Sequence, residues 1–82
     1  MSIKFSKQFA KCYEKAPDKI KYAFEQRLDL FKNDKFHPLL NNHGLTGNYS
    51  GYRSINITGD WRTIFTEYED TTYFEIFGTT DS

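Results

Sequence analysis

The residues best suited to chemistry lie close together between His43 and Arg62. This stretch contains one His, two Arg, one Asp, one Trp and four Gly. Such a composition suits a surface better than a core, because each buried polar group would need its own hydrogen-bond partner. Histidine, aspartate and arginine side chains can move protons and stabilise negative charge. These are the requirements of phosphodiester cleavage.

Other common catalytic and binding motifs are missing. The glycines lack the spacing of a phosphate-binding loop, and no GxSxG nucleophile motif occurs. The chain has two His and one Cys and lacks HxxxH or CxxC pairs, which argues against a structural metal ion. We therefore expect neither a metal nor a cofactor.

An alternation of residue types predicts two strands that would position this stretch. In the first, from Tyr52 to Thr58, Arg53 and two isoleucines fall on one side and polar residues fall on the other. A short turn at Gly59 would connect it to a second strand, residues 61–68. The pattern does not decide which side of the second strand faces the core.

Apolar residues at helical spacing predict two helices before these strands. The first would run from an N-cap at Ser6 to Glu14, and the second from the region of Pro17 to near Lys32. Their apolar stripes are expected to form the core.

A third strand is predicted at Tyr73–Phe77, with residues 74 and 76 on the side opposite to 73, 75 and 77. The expected fold class is α+β, with two N-terminal helices packed on one face of a small antiparallel β-sheet. The second sheet face would then be uncovered and would carry Ser54 and Asn56. We expect these two residues to contact RNA if that face is a binding surface.

The length of the chain predicts a single domain, residues 1–82, that buries about 60–65% of its unfolded surface. The lone Cys12 excludes an intrachain disulfide and favours a reducing compartment. No apolar run approaches the ~18–20 residues of a membrane span, and the N-terminus lacks a signal-peptide core. We therefore expect a cytoplasmic protein without a membrane partner.

The formal net charge of zero hides an uneven distribution. Residues 1–40 carry nine basic and five acidic side chains, whereas residues 41–82 carry two and six. The basic half is the half predicted to be helical, and Lys7, Lys11 and Lys19 are candidates for binding RNA phosphates. Ordinary solvated helix faces explain these lysines equally well.

The order of these segments resembles the RelE/ParE superfamily of bacterial toxins, and within it the YafQ-like branch. The similarity rests on two N-terminal helices followed by HGLTG at 43–47, GYRS at 51–54, GDWR at 59–62 and FGT at 77–79. It implies a type II toxin with a cognate antitoxin as partner. It also implies cleavage of mRNA in the ribosomal A site, where the RNA 2′-hydroxyl attacks the adjacent phosphate.

The resemblance also implies roles for individual residues. Arg62 matches the sheet arginine that stabilises the transition-state phosphate, and His43 matches an acid–base or substrate-positioning histidine. Asp60 and Trp61 match the Asp-Trp pair of the hairpin. Each of these four has a structural alternative: Arg62 as a solvated strand residue, His43 as a turn or capping residue, Asp60 as a turn residue and Trp61 as part of the core. Arg53 is expected to pair with a helix carboxylate.

The chain departs from the family pattern at three positions. YafQ-like proteins carry a second His where this chain has Asn56, an Arg where it has Ile76, and a His where it has Thr80. Threonine does not transfer protons near neutral pH, so the last change should lower turnover by about 10²–10⁴-fold if that His is the catalyst. Two other functions therefore stay open: a non-catalytic, ParE-like inhibitor of DNA gyrase, and an inert module that only binds an antitoxin.

Overall fold

The computed structural model describes residues 2–79, which form two α-helices beside a five-stranded sheet. In chain order the elements are β1 (Ser2–Phe5), α1 (Lys7–Lys15), α2 (Asp18–Asn33), β2 (His43–Gly44), β3 (Arg53–Asn56), β4 (Trp61–Tyr68) and β5 (Thr71–Thr79). Two short 3₁₀ turns, Pro38–Leu40 and Gly47–Tyr49, lie in the long connections on either side of β2. Neither described helix is long and apolar enough to cross a membrane.

The strand order is β1-β5-β4-β3-β2, and β1 runs parallel to β5 while the other neighbours are antiparallel. The α+β class is confirmed, but the sheet is mixed rather than antiparallel. Both unpredicted strands are short. Four residues at β1 and two at β2 give too little alternation to recognise, and the β1–β5 pairing joins opposite ends of the chain.

The helices begin close to the predicted positions. Ser6 is the N-cap of α1: its Oγ accepts a hydrogen bond from the Phe9 backbone N–H at 2.9 Å. The same hydroxyl donates to the backbone carbonyl of Glu75 at 2.6 Å. One side chain therefore both starts the helix and fixes its first turn to β5.

A cluster of aromatic rings between helices and sheet forms the centre of the core. The ring of Phe74, fully buried on β5, lies 5.6–6.1 Å from five others, on both helices, β1 and β4: Phe5, Phe9, Phe24, Phe31 and Phe65. The predicted apolar stripes of both helices are thus in the core.

The predicted alternation of the last strand is wrong after Phe74. The β4–β5 register shifts between Ile64 and Phe65, so that Ile64 pairs with Ile76 and Phe65 with Phe74. The extra residue on β5 is Glu75, which makes this a β-bulge. Because of the bulge, Phe74 and Phe77 both face the core. Ile76 is thereby moved to the opposite face.

We expect Ser6→Ala to lower the free energy of unfolding by about 1–2 kcal/mol, because it removes the helix cap and the link to β5 together. Urea denaturation monitored by circular dichroism measures this change. Ser50→Ala is the control, since Ser50 is exposed and its hydroxyl makes no hydrogen bond among residues 2–79. An equal loss in both variants would contradict the double role of Ser6.

Candidate functional site

The two helices leave one face of the sheet uncovered. Cross-strand partners lie on the same face of a sheet, and Ile55, Thr63 and Phe77 form a row that faces the helices. The neighbouring row of Asn56, Arg62 and Gly78 must therefore face away from the helices. The register thus decides what the sequence left open, which is the side of β4 that carries Arg62.

We call this surface, which no helix covers, the open face; two of its residues, Ser54 and Ile64, are nevertheless buried. All five strands contribute residues to it, and cross-strand partners form rows of side chains that run from strand to strand. The register assigns to it Ser2, Lys4, His43, Ser54, Asn56, Arg62, Ile64, Thr66, Tyr68, Thr71, Tyr73, Ile76 and Gly78.

Among the described residues, Arg62 is an unpaired arginine on the open face. Its side chain is half-buried and makes no hydrogen bond or ion pair with any residue in the described range 2–79. The other two arginines are engaged: Arg27 Nε donates to the Ile57 carbonyl at 3.2 Å, and Arg53 Nε donates to Asn42 Oδ1 at 2.7 Å. The guanidinium of Arg62 is therefore the one left available for an anion.

Space for such an anion exists beside Arg62. Gly78, its partner on β5, has no side chain, and a Cβ built there would meet no atom within 4 Å. Asn56, its partner on β3, is half-exposed and contributes an amide that can donate and accept. An oxyanion could therefore approach the guanidinium between an amide and an empty position.

His43 reaches the open face from β2, where it pairs with Ser54. Its Nδ1 lies 2.7 Å from the carbonyl oxygen of Asn41. Because a carbonyl oxygen only accepts, Nδ1 carries the hydrogen, and Nε2 of the neutral ring is left as a proton acceptor. Ideal sheet spacing puts the Cα atoms of His43 and Arg62 about 12 Å apart, so both side chains can reach one group between them.

Ser54 lies between these two residues and is completely buried. Its Oγ has no hydrogen-bond partner, and it is the single buried side-chain oxygen or nitrogen in that condition among residues 2–79. A buried hydroxyl without a partner costs stability. Because Ser54 pairs with His43, this loss of stability arises at the candidate site.

Two predicted site residues do not join this group. Trp61 lies on the helix side, with its ring 5.5 Å from that of Phe77, which agrees with the core alternative. Asp60 is exposed in the turn before β4, and its backbone N–H donates to Thr58 Oγ1 at 3.2 Å, as the turn alternative implies.

The predicted RNA-binding lysines also lie away from the open face. Lys7 and Lys11 are exposed along α1 and Lys19 near the start of α2, in the layer on the other side of the sheet. Thr80 lies outside the described residues. Within the described range, no three His, Cys, Asp or Glu side chains come together as ligands for a metal.

The predicted pairing of Arg53 with a helix carboxylate is wrong. Its Nε donates to Asn42 Oδ1, and its guanidinium carbon lies 5.5 Å from the ring centre of Phe36. Both partners belong to the connection between α2 and β2. Arg53 thus anchors that connection, and the Asn42 amide, which also donates to the Lys35 carbonyl, continues the same network.

Solved structures of bacterial toxins share this fold. YafQ from E. coli strain BL21(DE3) is 24% identical with a TM-score of 0.82, covering 98% of this chain and 93% of that chain. A YoeB/ParE toxin from Agrobacterium tumefaciens is 17% identical with a TM-score of 0.81, covering 96% and 98%. The E. coli DinJ-YafQ toxin-antitoxin complex contains a chain that is 24% identical with a TM-score of 0.79, covering 98% and 92%. The fold is that of the YafQ- and YoeB-like toxins.

A family model described as the bacterial toxin of type II toxin-antitoxin system, YafQ, matches residues 1–82. The chain therefore belongs to the YafQ family of toxins, and the resemblance drawn from its motifs is confirmed. A search of curated proteins found no match.

We expect Ser54→Ala to raise the free energy of unfolding by about 1 kcal/mol, because it removes a buried hydroxyl that has no partner. Thr63→Val is the matched control. Thr63 is equally buried, but its Oγ1 donates to the Ile76 carbonyl at 2.7 Å, so this variant should lose about 1 kcal/mol. Urea denaturation of both variants measures the difference, and a clear loss for Ser54→Ala would show that the hydroxyl is partnered in solution.

Proposed function

We propose that this toxin is a ribosome-dependent endoribonuclease that inhibits translation by cleaving mRNA in the ribosomal A site. The observation that carries the proposal is the unpaired guanidinium of Arg62 on the open face. A half-buried cation without a partner is costly unless a ligand supplies the missing charge. The scissile phosphate of RNA is such a ligand.

The reaction we propose is internal to the RNA. The 2′-oxygen attacks the adjacent phosphorus, the bond from phosphorus to the 5′-oxygen breaks, and the products are a 2′,3′-cyclic phosphate and a 5′-hydroxyl. His43 Nε2 accepts the 2′-hydroxyl proton, since Nδ1 is held by the Asn41 carbonyl. Arg62 stabilises the charge that develops on the phosphate oxygens. A solvent water molecule gives a proton to the leaving 5′-oxygen, and His43 later returns the proton it accepted to solvent.

Other residues have supporting roles in this proposal. Asn56, which pairs with Arg62, contacts the RNA near the cleaved bond, whereas Ser54 is completely buried and supports this surface from beneath. Lys7 and Lys11 on α1 and Lys19 on α2 attract ribosomal or messenger RNA phosphates through charge alone. Asp60 and Trp61 act by holding the turn and the first residue of β4, next to Arg62.

The proposed partner besides the ribosome is a cognate antitoxin in the cytoplasm. A toxin of the same fold forms the E. coli DinJ-YafQ complex, and membership of a type II toxin family agrees with such a partner. With Thr80 in place of the expected His, the proposed activity lacks one proton-transfer group and should be weak.

Arg62→Ala should reduce cleavage by at least about 100-fold, because it removes the charge that stabilises the transition state. Unfolding free energy should change by less than about 0.5 kcal/mol, since Arg62 makes no hydrogen bond or ion pair among residues 2–79 that could be lost. Primer extension on mRNA from a translating extract measures cleavage. As control, Arg27→Ala should destabilise the protein, by loss of the bond to Ile57, and leave cleavage by the folded fraction unchanged. Unfolding of Arg62→Ala would reassign Arg62 to structure.

Thr80→His should raise cleavage by about 10²–10⁴-fold, because an imidazole can transfer protons near neutral pH and a threonine hydroxyl cannot. The same primer-extension assay applies, with Thr79→His as control for simply adding a histidine. If neither the original chain nor Thr80→His produces codon-linked cuts, the nuclease proposal fails. Inhibition of DNA gyrase supercoiling in that case would favour the ParE-like alternative.

A further inference from the structure

Tyrosines lie on the part of the open face beyond Ile64, away from Arg62. The Leu45 N–H donates to the Tyr52 carbonyl at 2.9 Å, which continues the pairing of β2 and β3 by one residue. The β3–β4 register, continued in the same way, puts Tyr52 opposite Thr66, and Thr66 pairs with Tyr73 on β5. Tyr52 and Tyr73 therefore stand on either side of Thr66.

The loop that carries Tyr52 is fixed to the open face. Thr66 Oγ1 donates to the Gly51 carbonyl at 3.2 Å, and Gly51 has the positive φ of 94° that glycine tolerates well. The ring of Tyr49, which is 43% exposed, lies 6.1 Å from the Tyr52 ring at an interplanar angle of 87°. Tyr49 thus supports Tyr52 from the side, and the loop is held in place rather than free.

The spacing of the two rings fits a third ring between them. Tyr52 and Tyr73 are separated by two inter-strand steps, which is about 9–10 Å in an ideal sheet. Their rings do not contact each other, although both are half-exposed. A planar group stacked between two rings needs about 7–8 Å, twice the ordinary carbon–carbon contact distance. The slot is therefore wide enough for one flat aromatic ligand.

We propose that the Tyr52–Tyr73 slot binds an unpaired nucleobase of the RNA strand by stacking. This inference rests on the proposed function and adds a second binding position to it. Thr66 lies four residues beyond Arg62 on β4, about 13 Å along the strand, so the stacked base belongs to a nucleotide flanking the cleaved bond. Lys4, paired with Tyr73 on β1 and exposed, adds a cation beside the slot for the phosphate of that nucleotide.

A nucleobase fits these observations better than a polypeptide. Stacking requires a flat ligand, and the slot has aromatic walls, a threonine floor and an adjacent cation, as in single-strand RNA sites. Thr66 Oγ1 is already used as a donor to Gly51. The floor therefore offers little base-specific hydrogen bonding, and we expect the slot to accept several bases and to position the strand.

The test uses ribosomes programmed with mRNA that carries 2-aminopurine at successive positions around the A-site codon. A 2′-O-methyl group on each codon nucleotide blocks the attacking hydroxyl, so that binding is measured without cleavage. Stacking between aromatic rings quenches 2-aminopurine fluorescence, and wild-type protein should quench it at one flanking position. Tyr52→Leu and Tyr73→Leu should lose that quench and bind about 5- to 100-fold more weakly.

Two kinds of variant separate stacking from folding. Tyr52→Phe and Tyr73→Phe keep the rings and should retain the quench. Tyr22→Leu, which removes a tyrosine that is 66% exposed on α2, should behave as wild type. Absence of a position-specific quench overturns the proposal, as do leucine variants that match Tyr22→Leu. Loss of antitoxin binding with unchanged RNA signals also overturns it and assigns the surface to a protein.

Cleavage of unmodified mRNA, measured in parallel, separates this inference from the proposed function. Cleavage by wild-type protein without any quench would leave the nuclease proposal standing and remove the stacking slot. A quench that depends on Tyr52 and Tyr73, with no cleavage by either the original chain or Thr80→His, would support the slot and remove the nuclease proposal.

Discussion

One-sided burial of aromatic rings on the sheet is the constraint on which the rest of this structure depends. The fully buried Phe74 contacts rings from both helices, and Phe65 and Phe77 lie on the same side. Side chains of a strand alternate between faces, so the burial of Phe65 forces Arg62 to the opposite one. A slip of β4 by one residue would exchange the two faces, and the cost of exposing these rings prevents it.

The bulge at Glu75 is what allows one strand to satisfy both faces. Without it, Phe74 and Phe77 would point in opposite directions. With it, both rings enter the core, and Ile76 and Gly78 fall in register with Ile64 and Arg62. The Glu75 carbonyl accepts the hydrogen bond from Ser6 Oγ. The bulge residue Glu75 therefore links three features: the N-cap of α1, the packing of the core and the empty position beside Arg62.

The sequence predicted those helices and strands whose own residues show a clear periodicity of apolar side chains. Strand β4 was predicted at its observed ends, and the helices within one residue or so, because their apolar periodicity is long enough to read. The face of β4 was not predictable, since both of its alternating sets mix apolar and polar residues. The parallel strand β1 was missed because its partner lies at the other end of the chain. The bulge was missed because nothing in the local composition marks the extra residue.

The contrast between two arginines shows which part of the candidate site is structural and which is available. Arg53, on the helix side of β3, is held by the Asn42 amide and stacked near Phe36, so its charge is used to fix the connection before β2. Arg62 is only one strand away on the other face and has no such partner within the described residues. The sequence indicated a structural role for Arg53, on the side of two isoleucines, but it predicted a helix carboxylate as the partner in place of Asn42 and Phe36. The partners of an arginine are set by the tertiary fold. Arg53 is hydrogen-bonded and stabilises the scaffold, whereas Arg62 is left for a ligand, near the Ser54 hydroxyl that also has no partner.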